Sequence, residues 1–246
     1  MSLKEGSTTL FTFKNLSTSI KVYFGLVVAL LAMHVTLTML PVAYAVQSQA
    51  ALASWPAVIG FVLVGFAGVW LSQKTGFPEM WGGQTPAGHR LLPSALLGAI
   101  SGIVLAVLVN LLIKLPGQIH VPFPTSILYY AYGAIQTEIL FHLFLIPLFL
   151  WLISSVLLKN RWQEQIFWGV AIVLSLLEPL TQVGGALQMG MLANTPPALI
   201  GLMFATIYGV NLASAYLFRK SGFLAPLAVR LSLYLVWHVI VGALVR

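Results

Sequence analysis

A chain of 246 residues carries 59% hydrophobic and only 7% charged residues, with a mean hydropathy of +0.97. Soluble domains draw about a quarter of their residues from Asp, Glu, Lys and Arg, so this composition excludes a water-solvated globule and requires lipid as solvent. Cysteine is absent, which removes disulfides, thiolate metal sites and thiol nucleophiles, and the net charge of +7 is scattered singly, without the basic block or stripe of a nucleic-acid binder.

Apolar runs broken by Pro, Gly and charge predict seven spans: Lys21–Val46, Trp55–Ser72, Leu91–Leu115, Pro124–Leu157, Gln165–Leu180, Pro197–Phe218 and Phe223–Val245. The expected fold is all-α, a polytopic bundle of transmembrane helices, with residues 1–20 as a cytoplasmic tail and 21–246 as one membrane domain. Lys4, Lys14 and Lys21 before the first span and Ala43-Tyr44-Ala45 near its end have the look of a signal peptide with its cleavage site. The length of the apolar run favours a retained first helix. Residues 73–90, with Gly82-Gly83 and two prolines, read as the largest cytoplasmic loop. The fourth span exceeds the roughly 20 residues of an upright crossing, so it tilts, kinks near Pro147 or leaves the membrane. Residues 181–196 read as a polar, Gly-containing exterior loop able to act as a lid.

With the N-terminus inside, alternation of seven spans puts Lys74, Arg90, Lys159, Arg161, Arg219 and Lys220 in cytoplasmic loops beside Lys4, Lys14 and Lys21. Nine of twelve basic residues are then inside, and only Lys114 and Arg246 lie outside. The expected location is a plasma membrane, the bacterial inner membrane, with a cytoplasmic N-terminus.

Ionisable groups in hydrocarbon cost about 2.5 kcal/mol or more each, so those inside spans ask for partners or a function. Glu138 and Glu178 are the acidic ones; His34, His142, Arg230 and His238 join them. Glu138 and His142 stand four apart on one helical face, where they can hydrogen-bond, share a cation, or simply tie two helices together. At about 1.5 Å per residue from the cytoplasmic ends, Glu138, Glu178 and His238 all fall in the outer half of the membrane. His34 reads as a plain helix–helix hydrogen bond. Arg230, Tyr234 and His238 recur every four residues as a polar stripe, and the buried guanidinium needs an anion, Glu138 or Glu178. Trp55, Trp70, Tyr129 and Tyr130 read as an aromatic belt, and Trp237 as packing.

Two carboxylates and two imidazoles in one layer, Glu138, Glu178, His142 and His238, are a possible ligand set for Zn²⁺ or Fe²⁺, whose open position would lower the pKa of bound water towards about 7. Without metal, Glu138 serves as a general base for water. The residues alone leave both alternatives open.

Thr137-Glu138-Ile139-Leu140-Phe141-His142, followed downstream by the Tyr216 to Arg230 stretch with its Ser221-Gly222 turn and Pro226, resembles the CAAX prenyl protease and bacteriocin-processing family of intramembrane endopeptidases. The resemblance covers about 124–246. It implies a water-activating Glu at Glu138, and Arg230 and Tyr234 at the positions where the family carries His and Asn. Thr137 replaces the family's first Glu, His142 stands at its Arg, and Glu178 lies where its second motif should bring His. The expected function is therefore a divergent intramembrane hydrolase, metal-dependent if the Zn²⁺ or Fe²⁺ alternative holds, acting on a membrane-associated peptide or lipid-linked substrate through Glu138, His142, Arg230 and Tyr234. The alternative is a pseudoprotease, assembly factor or accessory subunit of a larger membrane complex. A small transporter with buried carboxylates as proton sites is a third reading, with no inverted repeat to support it.

Overall fold

The computed structural model describes residues 17–40, 54–81, 87–115 and 120–245. Ala43-Tyr44-Ala45, Lys4, Lys14, Gly82-Gly83 and Arg246 lie outside the described residues. Within them the chain is helical and without strands, and seven helices are long and apolar enough to cross a membrane. They are α1 (Thr18–Met39), α2 (Trp55–Lys74), α3 (Gly88–Ile113), α4 (Thr125–Leu157), α5 (Gln163–Gln188), α6 (Pro197–Ser221) and α7 (Leu224–Leu244). The chain is an integral membrane protein. Large apolar side chains such as Val28, Leu63, Ile100 and Val173 remain exposed on the bundle exterior, as expected where lipid replaces water.

The starts follow local chemistry. Ser17 caps α1 by accepting the Ile20 N–H, and Pro residues open α2 and α6 at positions where no intrahelical N–H is needed. The fourth span resolves as one 33-residue helix with two wide, π-type turns, at Ile139–Leu145 and Trp151–Leu157. The first of these lies directly before Pro147, whose ring nitrogen cannot donate to the preceding turn, and the Ile146 N–H reaches back five residues to Phe141 O. Two further π turns occupy Val107–Ile113 in α3 and Leu235–Val241 in α7.

The expected lid loop is corrected. α5 runs through Pro179 to Gln188, eight residues beyond the predicted end, and only short turns separate it from α6. Val183 anchors the added turns in an apolar cluster with Leu105, Ile207 and Val229, and that packing outweighs the local signals of Pro179 and Gly184-Gly185.

Two apolar clusters fill the interior. One gathers Tyr23, Leu30, Val69, Ile139, Leu143 and Phe167 from α1, α2, α4 and α5; the other gathers Leu105, Val109, Val210, Val229, Leu233 and Trp237 from α3, α6 and α7. α3 lies hard against α7. A Cβ on Gly98 would overlap the Val229 carbonyl oxygen, and one on Gly102 would sit 2.9 Å from the Leu233 carbonyl. Glycines four apart let the backbones approach closely, the small-residue packing of membrane helices, and the contact brackets Arg230.

At one end of the bundle Thr75 O accepts from Gln163 Nε2 at 2.8 Å and Arg219 Nη1 at 3.1 Å, and the Met80 N–H donates to Ser19 Oγ at 3.0 Å. The ends of α2 and α6 and the starts of α1 and α5 therefore share one end, as the alternation of spans requires.

Candidate functional site

Four helices each contribute one polar side chain to a single buried contact set: Glu138 from α4, Glu178 from α5, Asn211 from α6 and Arg230 from α7. Arg230 is its centre. Its Nε donates to Glu138 Oε1 at 2.8 Å, its Nη1 to Glu178 Oε1 at 2.6 Å and its Nη2 to Asn211 Oδ1 at 2.9 Å. The planar fork of a guanidinium suits this three-way contact, which an ammonium would not reproduce. Glu138 is fully buried, and Arg230 is only 4% exposed.

His142 extends the set along α4. Its Nδ1 stands 2.7 Å from Glu138 Oε2, at ion-pair distance but off the line of a hydrogen bond, and its Nε2 faces the Asn211 carbonyl at 3.4 Å. Both ring nitrogens thus face acceptors. Gln182, one turn beyond Glu178, donates Nε2 to Glu178 Oε1 at 2.8 Å, and the Arg230 guanidinium lies 5.7 Å from the Tyr234 ring centre. Glu138 sits at the junction where the α-helix opens into the π turn that carries His142. Such turns recur at functional sites.

Glu138, His142, Glu178, Arg230 and Tyr234, singled out from sequence, are brought together. His238 is not. It leaves the cluster for a second polar group, with its Nδ1 3.0 Å from His120 Nδ1 and its ring stacked on Tyr130 at 4.3 Å; the Tyr130 hydroxyl accepts the Val121 N–H at 3.0 Å. His34 pairs with the Tyr132 hydroxyl at 3.2 Å between α1 and α4, the expected helix–helix bond.

The donor set does not fit a metal at Glu138, His142, Glu178 and His238. His238 points to His120, away from the other three side chains, and the Arg230 guanidinium lies on Oε1 of both carboxylates. Among the described residues no three His, Cys, Asp or Glu side chains converge on one point.

Asn211, Gln182 and His120 escape the sequence reading. The signal for Asn211 is its place as a carboxamide in mid-span, which is costly in hydrocarbon without a partner. Gln182 stands four residues after Glu178, the spacing of one helical face, but the predicted span ends at Leu180; nothing in the spacing of His120 marks it before the helices are assembled.

Two small cavities flank the set. One is lined by Phe141, His142, Ile146, Leu174, Ser175 and Asn211. The other lies towards α3, between Glu178, Gln182, Asn211, Arg230, Tyr234 and Trp237.

No protein-family model, curated protein or solved structure matches the chain.

Proposed function

We propose that the protein is a membrane-embedded hydrolase acting, without a metal at this site, on a membrane-associated peptide or lipid-linked substrate. The observation that supports this reading is the convergence of two carboxylates with a guanidinium, an imidazole and a carboxamide at hydrogen-bonding distance, deep in a bundle with cavities on either side. Ionisable groups at this depth mark function by default. A carboxylate here can take a proton from water, while the nearby N–H donors can stabilise a developing oxyanion. The resemblance of residues 124–246 to intramembrane endopeptidases points the same way. Wild-type protein in proteoliposomes should cleave dye-quenched transmembrane peptides or long-chain acyl esters, and a Glu138→Gln/Glu178→Gln double variant of equal folded yield should not. Equal rates in both would sink the reading.

A second reading, a non-catalytic accessory or assembly subunit of a membrane complex, is favoured by the completeness of the Arg230 bridge. A buried guanidinium bonded to three other helices is sufficient reason to hold four helices together. Stable co-purification with other membrane subunits, and no turnover, would decide for it.

We place the N-terminus in the cytoplasm. Lys21, Lys74, Lys159, Arg161, Arg219 and Lys220 lie at or just beyond the helix ends that alternation assigns to one side, as the positive-inside bias requires.

A further inference from the structure

The two carboxylates of the cluster are not equivalent. Glu138 has Oε1 bonded to Arg230 Nε, and its Oε2, though not hydrogen-bonded, is covered by His142 Nδ1 at 2.7 Å. Glu178 receives both its donors, Arg230 Nη1 at 2.6 Å and Gln182 Nε2 at 2.8 Å, on Oε1 alone. Its Oε2 has no hydrogen-bond partner among the described residues, although the side chain is more than nine-tenths buried.

Trp237 lines the same cavity as Glu178. It is 8% exposed, and its Nε1, a buried donor, likewise has no partner among the described residues. An unmade acceptor and an unmade donor on one cavity are unusual in a folded protein, where buried polar atoms are paired. The cavity has about 10 Å³ of room, the space of one water molecule.

We propose that this cavity is the site of one water held between Glu178 Oε2 and Trp237 Nε1, and that Glu178, rather than Glu138, is the carboxylate that activates it. The second half rests on the hydrolase reading; the water site stands without it. Arg230 and Gln182 fix Oε1 and so aim Oε2, while Glu138 and His142 hold Arg230 and act as positioning residues. In the reaction, Oε2 takes a proton from the water as its oxygen forms a bond to the substrate carbonyl carbon. The C=O electron pair moves onto oxygen, facing the N–H donors of the site. On collapse the carbonyl re-forms, the bond to the leaving group breaks, and the leaving group takes the proton from Glu178, which returns as carboxylate.

Two measurements on the full chain in nanodiscs test this. The ultraviolet resonance Raman difference between wild type and Trp237→Phe reads the hydrogen-bonding state of the Trp237 indole N–H. A bonded indole is expected, since no described side chain provides the acceptor; a free indole overturns the water site. Hydrolysis of the quenched-peptide and acyl-ester probes then separates the carboxylates. At matched thermal stability, Glu178→Gln should fall at least a hundredfold, whereas Glu138→Gln should keep a tenth or more of wild-type turnover. The opposite ranking overturns the assignment of the base. A wild type inactive on every probe but with a bonded indole overturns the hydrolase reading and the base role with it, and bears out the water site.

Discussion

Arg230 donates from Nε to Oε1 of Glu138 at 2.8 Å across a separation of 92 residues, joining the last helix of the chain to the fourth. The same guanidinium reaches Glu178 and Asn211, so its removal leaves Glu138 Oε1 and Asn211 Oδ1 without their donor and Glu178 with Gln182 alone.

Replacing Arg230 with Met should therefore destabilise the bundle by about 3–5 kcal/mol, the usual loss when one partner of a buried ion pair is removed. Thermal melting in detergent measures it. Arg230→Lys should recover only part of the loss, because the donors of an ammonium diverge from one nitrogen and do not match acceptors spaced for Nε, Nη1 and Nη2. A melting temperature for Arg230→Met equal to wild type would mean that the bridge contributes nothing.

The α3–α7 contact makes a sharper steric prediction. Gly98→Ala forces a methyl group into the Val229 carbonyl, and overpacking of this kind costs about 1–3 kcal/mol. Gly133→Ala, which meets nothing within 4 Å, should be neutral. Comparison of their melting temperatures checks the pair, and equal shifts would show that α3 and α7 are not packed backbone to backbone.

The separation of His238 from the ion network predicts additivity. His238→Ala and Glu138→Gln should combine in a double-mutant cycle with a coupling below about 0.5 kcal/mol, as for residues that do not touch each other and are linked only indirectly, through Tyr234 against His238 at 5.3 Å and Arg230 at 5.7 Å. Glu138→Gln and His142→Ala, at 2.7 Å contact distance, should couple. Strong coupling between Glu138 and His238 would restore a shared ligand.

The absence of cysteine makes topology directly measurable. Single cysteines at the exposed positions Lys159 and Asn194 flank α5 at its two ends. In intact cells a membrane-impermeant maleimide should label Asn194→Cys, and should reach Lys159→Cys only after permeabilisation. The reverse pattern places the N-terminus outside.

Seven spans are legible in the sequence because hydrocarbon imposes one rule on every segment, and the partners of Arg230 are legible because a buried guanidinium has only Glu138 and Glu178 to meet. The fate of His238 is not. The four-residue repeat of Arg230, Tyr234 and His238 defines one face only if every residue advances by the about 100° of an α-helix, and the wider π turn at Leu235–Val241 carries His238 towards His120 instead. The extension of α5 past Pro179 escapes for a related reason, since the packing of Val183 against α3 and α6 is a tertiary contact with no local sign. Asn211 stands between these cases, visible as a mid-span carboxamide but without a spacing that assigns its partner.

Drawing one ligand from each of four helices also sets an order on biogenesis. As the chain emerges, α4 and α5 deliver Glu138 and Glu178 to the membrane before α7 brings Arg230, the guanidinium that bridges them. Until that last helix arrives, both carboxyl groups lack the donor that the folded bundle gives them, and lipid solvates them poorly. Arrival of Arg230 is the event that seals the bundle.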